Sequence, residues 1–569
     1  MNKFSTIDYL IFIFYFLVVS GYGYWVYSRK KKAASVSGSH DFFLAEGSLT
    51  WWAIGASLIG SNISAEQFIG ASGQGFTVGI AVAAYEWIAA VALIIVAVWF
   101  IPVYLKNKIY TMPQFLETRY NKSVSFIMAI FWLFLYVFIN LTSILFLGAL
   151  AINGVLGGDI NMLHYVIIGL AVFALVIALG GMKVIGYTSV IQVLVLVIGG
   201  LATTYIALTL VSEHFGLGKD ALAGFNAMLK DSPDHFKMIL AKPGPGASQE
   251  YINKYLLLPG IGMYFAGQWV VNLNYWGCNQ YITQRALGAD LKTARTGILF
   301  AGLMKLAMPI IVILPGVAAY VLYKNGGVHH EMTAGGHLNA DNAYSTVLGF
   351  LPAGLRGLSV AALTAAIVAS LAGKANSIST IFTMDIYKKY IKKDADEKGM
   401  VGMGKMIIAL ALLLSIMLTW KDLLGIGGEG GFTFIQKYTG YISPGIFAIF
   451  ILGFFWKRTT GAAAITGILT GFAMSVLFNN YAPSIFGHET FLYTAFPNGH
   501  GGYEIPFLIC IGLSFLFTMI AMVFVSLAGP KINAKAFAID KSMFKVEPTT
   551  LALIIITLLL LTTLYVKFW

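Results

Sequence analysis

The sequence predicts an all-α polytopic membrane protein, and three observations carry that expectation. Of its residues 58 % are hydrophobic and only 11 % charged, with a mean hydropathy of +0.78, far from the balance of a water-soluble domain. Apolar windows long enough for a helix to cross a bilayer core, roughly 20 residues for about 30 Å, recur along the whole chain. The short alternating segments of a β-barrel are absent.

Fourteen such spans can be read in order. Span 1 (7–27) is followed by Arg29-Lys30-Lys31-Lys32 without a small-residue cleavage site. It therefore reads as a retained anchor, not a signal peptide, and with its linker makes an N-terminal unit, 1–50. Spans 2–6 (51–73, 78–105, 124–153, 164–182 and 186–211) fill 51–211. An outer loop, 212–255, separates them from spans 7–11 (256–282, 297–323, 349–384, 404–425 and 433–455), which fill 256–455. Spans 12–14 (461–482, 505–528 and 549–567) complete a C-terminal unit, 456–569.

The net charge of +12 invites a nucleic-acid reading, but its placement speaks for topology instead. With span-end residues counted in the adjoining connection, 24 of the 37 Lys and Arg follow odd-numbered spans. Nine lie on the other side, five of them in the long 212–255 loop, and four lie within spans: Lys305, Arg356, Lys374 and Lys437. Positive residues stay cytoplasmic, so both termini are expected outside a cell (inner) membrane. The partners expected are the lipid bilayer and small solutes, with no nucleic acid. Cys278 and Cys510 lie in apolar spans and form no metal or disulfide signature.

Spans 2–6 and 7–11 are two sets of five, and an odd number of spans forces the second set to enter the membrane the other way up. Such 5+5 inverted repeats build secondary transporters, whose interrupted spans mark the binding site. Span 2 is interrupted by SNISAEQ, and span 7, its counterpart, by NLNYWGCNQ at 272–280. Glu86 in span 3 and Lys305 in span 8 occupy matching spans. Charges at that depth cost several kcal/mol unless paired or wetted.

Asn62, Gln67, Glu86, Asn272, Lys305 and Gln436 together offer donors and acceptors in similar supply. That mixture suits a small neutral sugar, whose hydroxyls both donate and accept, better than a carboxylate or a cation. Tyr85, Tyr275 and Phe432 could cover the apolar face of a pyranose if these spans converge.

Several stretches then resemble one family: ASLIGSNISAEQFIGASGQGF, YEW at 85–87, WVVNLNYWGCNQYITQR at 269–285, NSISTIFTMDIYKKY at 376–390 and YTGYISPGIFAIFILGFFWKRTT at 438–460. The chain resembles the sodium:solute symporter family, and within it the sodium/glucose branch with its bacterial sodium/galactose members. The likeness runs across nearly all 14 spans and implies a LeuT-like core. It implies a sugar held by Asn62, Gln67, Glu86, Asn272, Lys305 and Gln436. Tyr275 would be the inner gate, with Tyr85 and Phe432 in the outer gate. Ala89 stands where relatives have a serine and Ala71 where they have a methionine. Both leave more room, so an inositol or a differently substituted hexose stays open.

The resemblance also implies Na+ as coupling ion, between spans 2 and 9, on the positions of Gly60, Ile63, Ala366, Ala369 and Ser370. Carbonyls survive any substitution, but Ala369 lacks a hydroxyl that relatives carry, and Ser189 replaces their aspartate. Lys374 lies one helical turn beyond Ser370 on the same face. Its ammonium either modifies the cation site or snorkels into a cytoplasmic vestibule.

Other signals carry less. GIGGEGGF at 425–432 lacks the Lys-Ser or Lys-Thr of a phosphate loop, and NLT at 140–142 lies inside span 4. His329 and His330 have no companion metal ligands in sequence, and KKYIKKDADEK at 388–398 sets topology. The expected activity is sodium-coupled secondary active uptake of a hexose such as galactose or glucose by alternating access. The alternatives are a sodium-independent facilitator on the same scaffold, or a sodium symporter for another polyol. A sugar sensor would normally carry an added signalling domain. An enzyme is not expected, since no zinc signature, nucleophile elbow or acid pair appears.

Overall fold

The computed structural model describes residues 4–33, 42–43, 49–64, 66–158, 160–334, 337–426 and 431–569. Among them, eleven helices are long and apolar enough to cross a membrane, from Thr6–Arg29 to Pro548–Phe568. They match spans 1, 3–6, 8–10 and 12–14. The other three windows are apolar enough but broken. Span 2 is split into Trp51–Asn62, a π-helical turn Glu66–Ala71 and Ser72–Thr77. Span 7 is Gln249–Phe265 joined to Gly267–Gly277 with an 82° bend. Span 11 is Gly431–Gly440 followed by Ser443–Phe455.

Span 7 is interrupted twice, once at Cys278 within the polar run NLNYWGCNQ and once, more sharply, upstream of it. Asn272, Tyr275 and Trp276 lie within a helix, Gly267–Gly277. The sharp bend falls at Ala266 (φ −116°, ψ −115°), six residues before the predicted run, and the interruption inside that run is at Cys278. A Cβ on Gly267 would come within 2.9 Å of Ile511, and one on Gly512 within 2.7 Å of the Ala266 Cα. Packing against the Phe507–Leu527 helix sets the bend, and the local polarity of NLNYWGCNQ does not.

The chain forms two compact units. The first comprises residues 1–83, 132–237 and 284–435. Small residues let its helices approach closely, the usual device where lipid supplies no hydrophobic drive between helices. A Cβ on Gly199 of Gly181–His214 would lie 2.8 Å from Ala362 of Leu355–Thr380, and Ser359 there donates to the Gly199 carbonyl at 3.0 Å. Likewise Gly297 of Leu291–Val312 sits against Trp51 and Ile54 at the start of span 2.

Span 1 is stapled to span 9 by a buried ion pair. Asp8 accepts from Arg356 Nη2 at 2.6 Å, and from the backbone N–H groups of Gly354 and Gly357 at 2.8 Å each. It thereby satisfies amides at the N-terminus of Leu355–Thr380 that have no intrahelical partner. Both ionic side chains are essentially inaccessible. Removing one partner strands a buried charge, at a cost of about 3–5 kcal/mol. Asp8→Ala is expected to lower the melting temperature in detergent by many degrees, with Asp8→Asn intermediate. Equal melting of all three proteins would show that the pair contributes nothing.

The second unit comprises residues 84–131, 238–283 and 436–569. Here the Arg119 guanidinium, itself buried, donates to the carbonyls of Gly453, Trp456 and Thr459 at 2.8–3.0 Å and so closes the end of Ser443–Phe455. The Tyr104 hydroxyl donates to the Gly277 carbonyl at 2.7 Å, holding the end of the bent span 7.

Candidate functional site

Span 2 opens because the polar run cannot continue the helix. Trp51–Asn62 ends at Ile63, which is extended (φ −80°, ψ 99°), and its N–H makes the last α-helical bond, to Ile59 at 2.8 Å. Non-helical backbone at membrane depth is tolerated only where it is buried in protein or lines a cavity. Here it is buried: Gly60, Ser61, Asn62, Ile63 and Ser64 are all inaccessible or nearly so.

Three helices of the first unit meet this break. Span 9 runs unbroken past it, and its Ser370 hydroxyl donates to the carbonyl of Ser61 at 2.8 Å. Ala366 and Ala369 are fully buried on the same helix. From span 6, Ser189 lies against Gly60: a Cβ there would be 3.6 Å from the Ser189 Cβ. The Ser189 hydroxyl itself donates back to the Ile185 carbonyl at 2.7 Å. Span 8 brings Lys305, whose ammonium donates to the Asn62 side-chain oxygen. Both residues are buried, Lys305 to 1 % exposure, and the amide oxygen helps compensate the buried charge. Gln67 is buried in the π-helical turn.

Lys374 is 3 % exposed, so its ammonium is enclosed by protein in this structure. The hydroxyl and carbonyl oxygens at the break are the hard donors an alkali cation takes. Ala369 contributes no side-chain oxygen.

The remaining positions expected to hold the sugar, Glu86, Asn272 and Gln436, belong to the second unit. Glu86 and Tyr85 are buried in Ala84–Ile95. Asn272 is buried and donates to the Gln268 carbonyl at 3.0 Å. Tyr275 is half-buried, edge-on to Trp276 at 5.1 Å between ring centroids. Gln436 is half-buried in Gly431–Gly440. Phe432 lies in that helix, but its side chain is outside the described residues.

Two residues escaped the sequence reading. Arg285, counted only as a cytoplasmic charge, is fully buried; it donates to Ser57 Oγ at 2.8 Å and to the Ser61 hydroxyl. It thus fastens the half-helix before the break. Its neighbour Gln284 donates to Thr380 Oγ1 and accepts from Ser377 Oγ, both at 3.0 Å, one to two turns beyond Lys374. The only sequence signal was QYITQR, a polar run at the edge of an apolar span.

A helix broken around buried oxygen donors and crossed by an intact one is the ion- and substrate-holding device of secondary transporters, so the protein is a membrane transporter and not an enzyme. The sodium:solute symporter family model matches residues 42–471. The sodium/glucose cotransporter of Vibrio parahaemolyticus is 42 % identical over 576 residues, covering 99 % of this chain and 98 % of that one. Mouse sodium/myo-inositol cotransporter 2 is 33 % identical, covering 83 % of this chain and 69 % of its own. Sheep sodium/glucose cotransporter 1 is 30 % identical, covering 83 % and 71 %. A solved Na+-coupled sialic acid symporter, substrate-bound and outward-open, shares the fold with a TM-score of 0.74 at 19 % identity, covering 93 % of this chain and all of that one. The chain belongs to the sodium:solute symporter family, and sodium is its coupling ion.

Proposed function

We propose that the chain takes up a neutral, hydroxyl-rich solute, a hexose such as galactose or glucose, by sodium-coupled alternating access. The observation that carries this is the buried Asn62–Lys305 pair one residue from the Ser61 carbonyl that meets Ser370. A solute that engages Asn62 there necessarily touches the same broken backbone as the ion. Each ligand then favours one arrangement of span 2 against span 9, which is all that coupling requires; a ratio of about 5–150-fold is typical. The full-length likeness to a sodium/glucose cotransporter supports the choice of solute.

In this reading the eleven unbroken spans and the three broken ones make fourteen, with spans 2–6 and 7–11 as inverted repeats in an inner membrane and both termini outside. Asn62, Gln67 and Lys305 contact the sugar, as do Glu86, Asn272 and Gln436. Tyr275 gates the inner route, and Tyr85 with Phe432 the outer one. Sodium takes Ser370 and the carbonyls of Gly60, Ile63 and Ala366, with Ala369 supplying at most a carbonyl. The myo-inositol cotransporter among the relatives, with the small Ala71 and Ala89, favours inositol as a second reading.

The test is uptake of labelled galactose, glucose and myo-inositol into proteoliposomes, with an inward sodium gradient or with choline replacing sodium. Accumulation above equilibrium of one solute, only with sodium, is the expected outcome. Equal equilibration in both would overturn coupling and leave a facilitator. Lys374→Ala sorts the role of the buried ammonium. If Lys374 competes for the cation site, its removal lowers the sodium concentration for half-maximal uptake; an unchanged value assigns it to packing.

A further inference from the structure

The first unit carries a second built site, away from the broken helix. At the end of Thr6–Ala33 that bears Arg29, a groove of about 260 Å³ opens between this helix, Ile160–Leu179 and the start of Gly181–His214. Its apolar lining includes the exposed Val176 and the half-buried Leu179, and its polar lining residues are Ser20, Tyr24, Tyr27 and Lys405. Among the described residues no carboxylate lines it. A Cβ on Gly23 would lie 3.3 Å from Thr188 and 3.5 Å from Val184, so the two helices approach closely beside the groove.

The level of the groove in the membrane follows from its aromatic rim. Tyr24, Trp25 and Tyr27 are exposed, Trp25 stacks on Tyr22 at 5.7 Å, and the Arg29 guanidinium covers Trp25 at 4.2 Å. Trp52, also exposed, meets Tyr187 edge-on at 6.1 Å. Amphipathic rings gather where hydrocarbon gives way to headgroups. The helix continues there into Arg29-Lys30-Lys31-Lys32, and a basic run directly after a spanning helix attracts anionic lipid.

We propose that this groove binds one anionic phospholipid, its phosphate held by Lys405 and the tyrosine hydroxyls and one acyl chain lying along Val176 and Leu179. Hydroxyl donors beside an ammonium match a phosphodiester, and the apolar wall beside them matches a chain that a free phosphate lacks. The occupied groove would brace span 1 against span 6, whose Ser189, five residues beyond Val184, packs on Gly60.

The test is native mass spectrometry of the purified full-length protein in detergent, titrated with phosphatidylglycerol or phosphatidylcholine of the same acyl chains. One phosphatidylglycerol per chain should be retained in preference to phosphatidylcholine. Lys405→Ala should weaken that retention about fivefold, the weight of one near-surface cation, and Lys405→Arg should restore it. The half-buried position of Lys405 lets the variant fold, and an unshifted melting curve without added lipid verifies that. Tyr24→Leu, at an exposed position, should weaken retention independently. Equal retention of the two lipids, or no change in Lys405→Ala and Tyr24→Leu, would overturn the proposal. Displacement of the adduct by millimolar inorganic phosphate would do so too.

Discussion

Lys305→Ala is expected to lower solute uptake by about two orders of magnitude while leaving expression and melting temperature nearly native. The Lys305 ammonium is buried and donates to the Asn62 side chain at the broken helix. Hydrogen bonds to charged groups contribute about 1.5–3 kcal/mol each, so losing the donor costs roughly 10- to 150-fold in binding. The Asn62 oxygen is also left without this donor in a buried site. Lys305→Gln, which keeps a donor without the charge, should recover part of the loss, mostly as a lower half-saturation concentration for the solute. Stability suffers less, because the variant removes the buried charge along with the bond. Native-like uptake by Lys305→Ala would place Lys305 outside the solute site.

Ser370→Ala should raise the sodium concentration for half-maximal uptake at least about tenfold, equivalent to losing about 1.4 kcal/mol of ion binding. A hydroxyl has one proton and two lone pairs. The proton goes to the Ser61 carbonyl at 2.8 Å, and the oxygen is a hard donor of the kind an alkali cation takes. The same group therefore ties span 9 to the break in span 2 and offers the ion an oxygen. With Ala369 contributing no hydroxyl, Ser370 has no side-chain substitute one residue away. Half-saturation for the solute at saturating sodium should stay within about twofold of native, because the solute residues are untouched. If solute affinity falls while the sodium dependence holds, Ser370 serves the solute site or the packing, not the ion.

The two sites differ in how far the sequence revealed them. Span 2 was legible because its break is local: four polar side chains inside an apolar run contradict helix burial whatever surrounds them. Lys305 stood out in the same way, as a charge inside an apolar window. Its pairing with Asn62 joins residues 243 apart, and nothing in either neighbourhood encodes that distance. Arg285 was misread for the complementary reason. At the edge of a span a cation ordinarily sets topology, and only the approach of Ser57 and Ser61 gives it another task.

What the sequence determined by itself was the class of the molecule, the position of the unbroken spans and the break in span 2. Each depends on the hydropathy of a contiguous window, since every spanning backbone must satisfy its own hydrogen bonds in lipid. Tertiary structure alone decided the bend at Ala266, the Asp8–Arg356 staple, the burial of Lys374 and the meeting of Ser370 with Ser61. Those depend on which helix faces lie together. That choice is made by close approach of small residues and by single polar contacts hundreds of residues apart, which no local window contains.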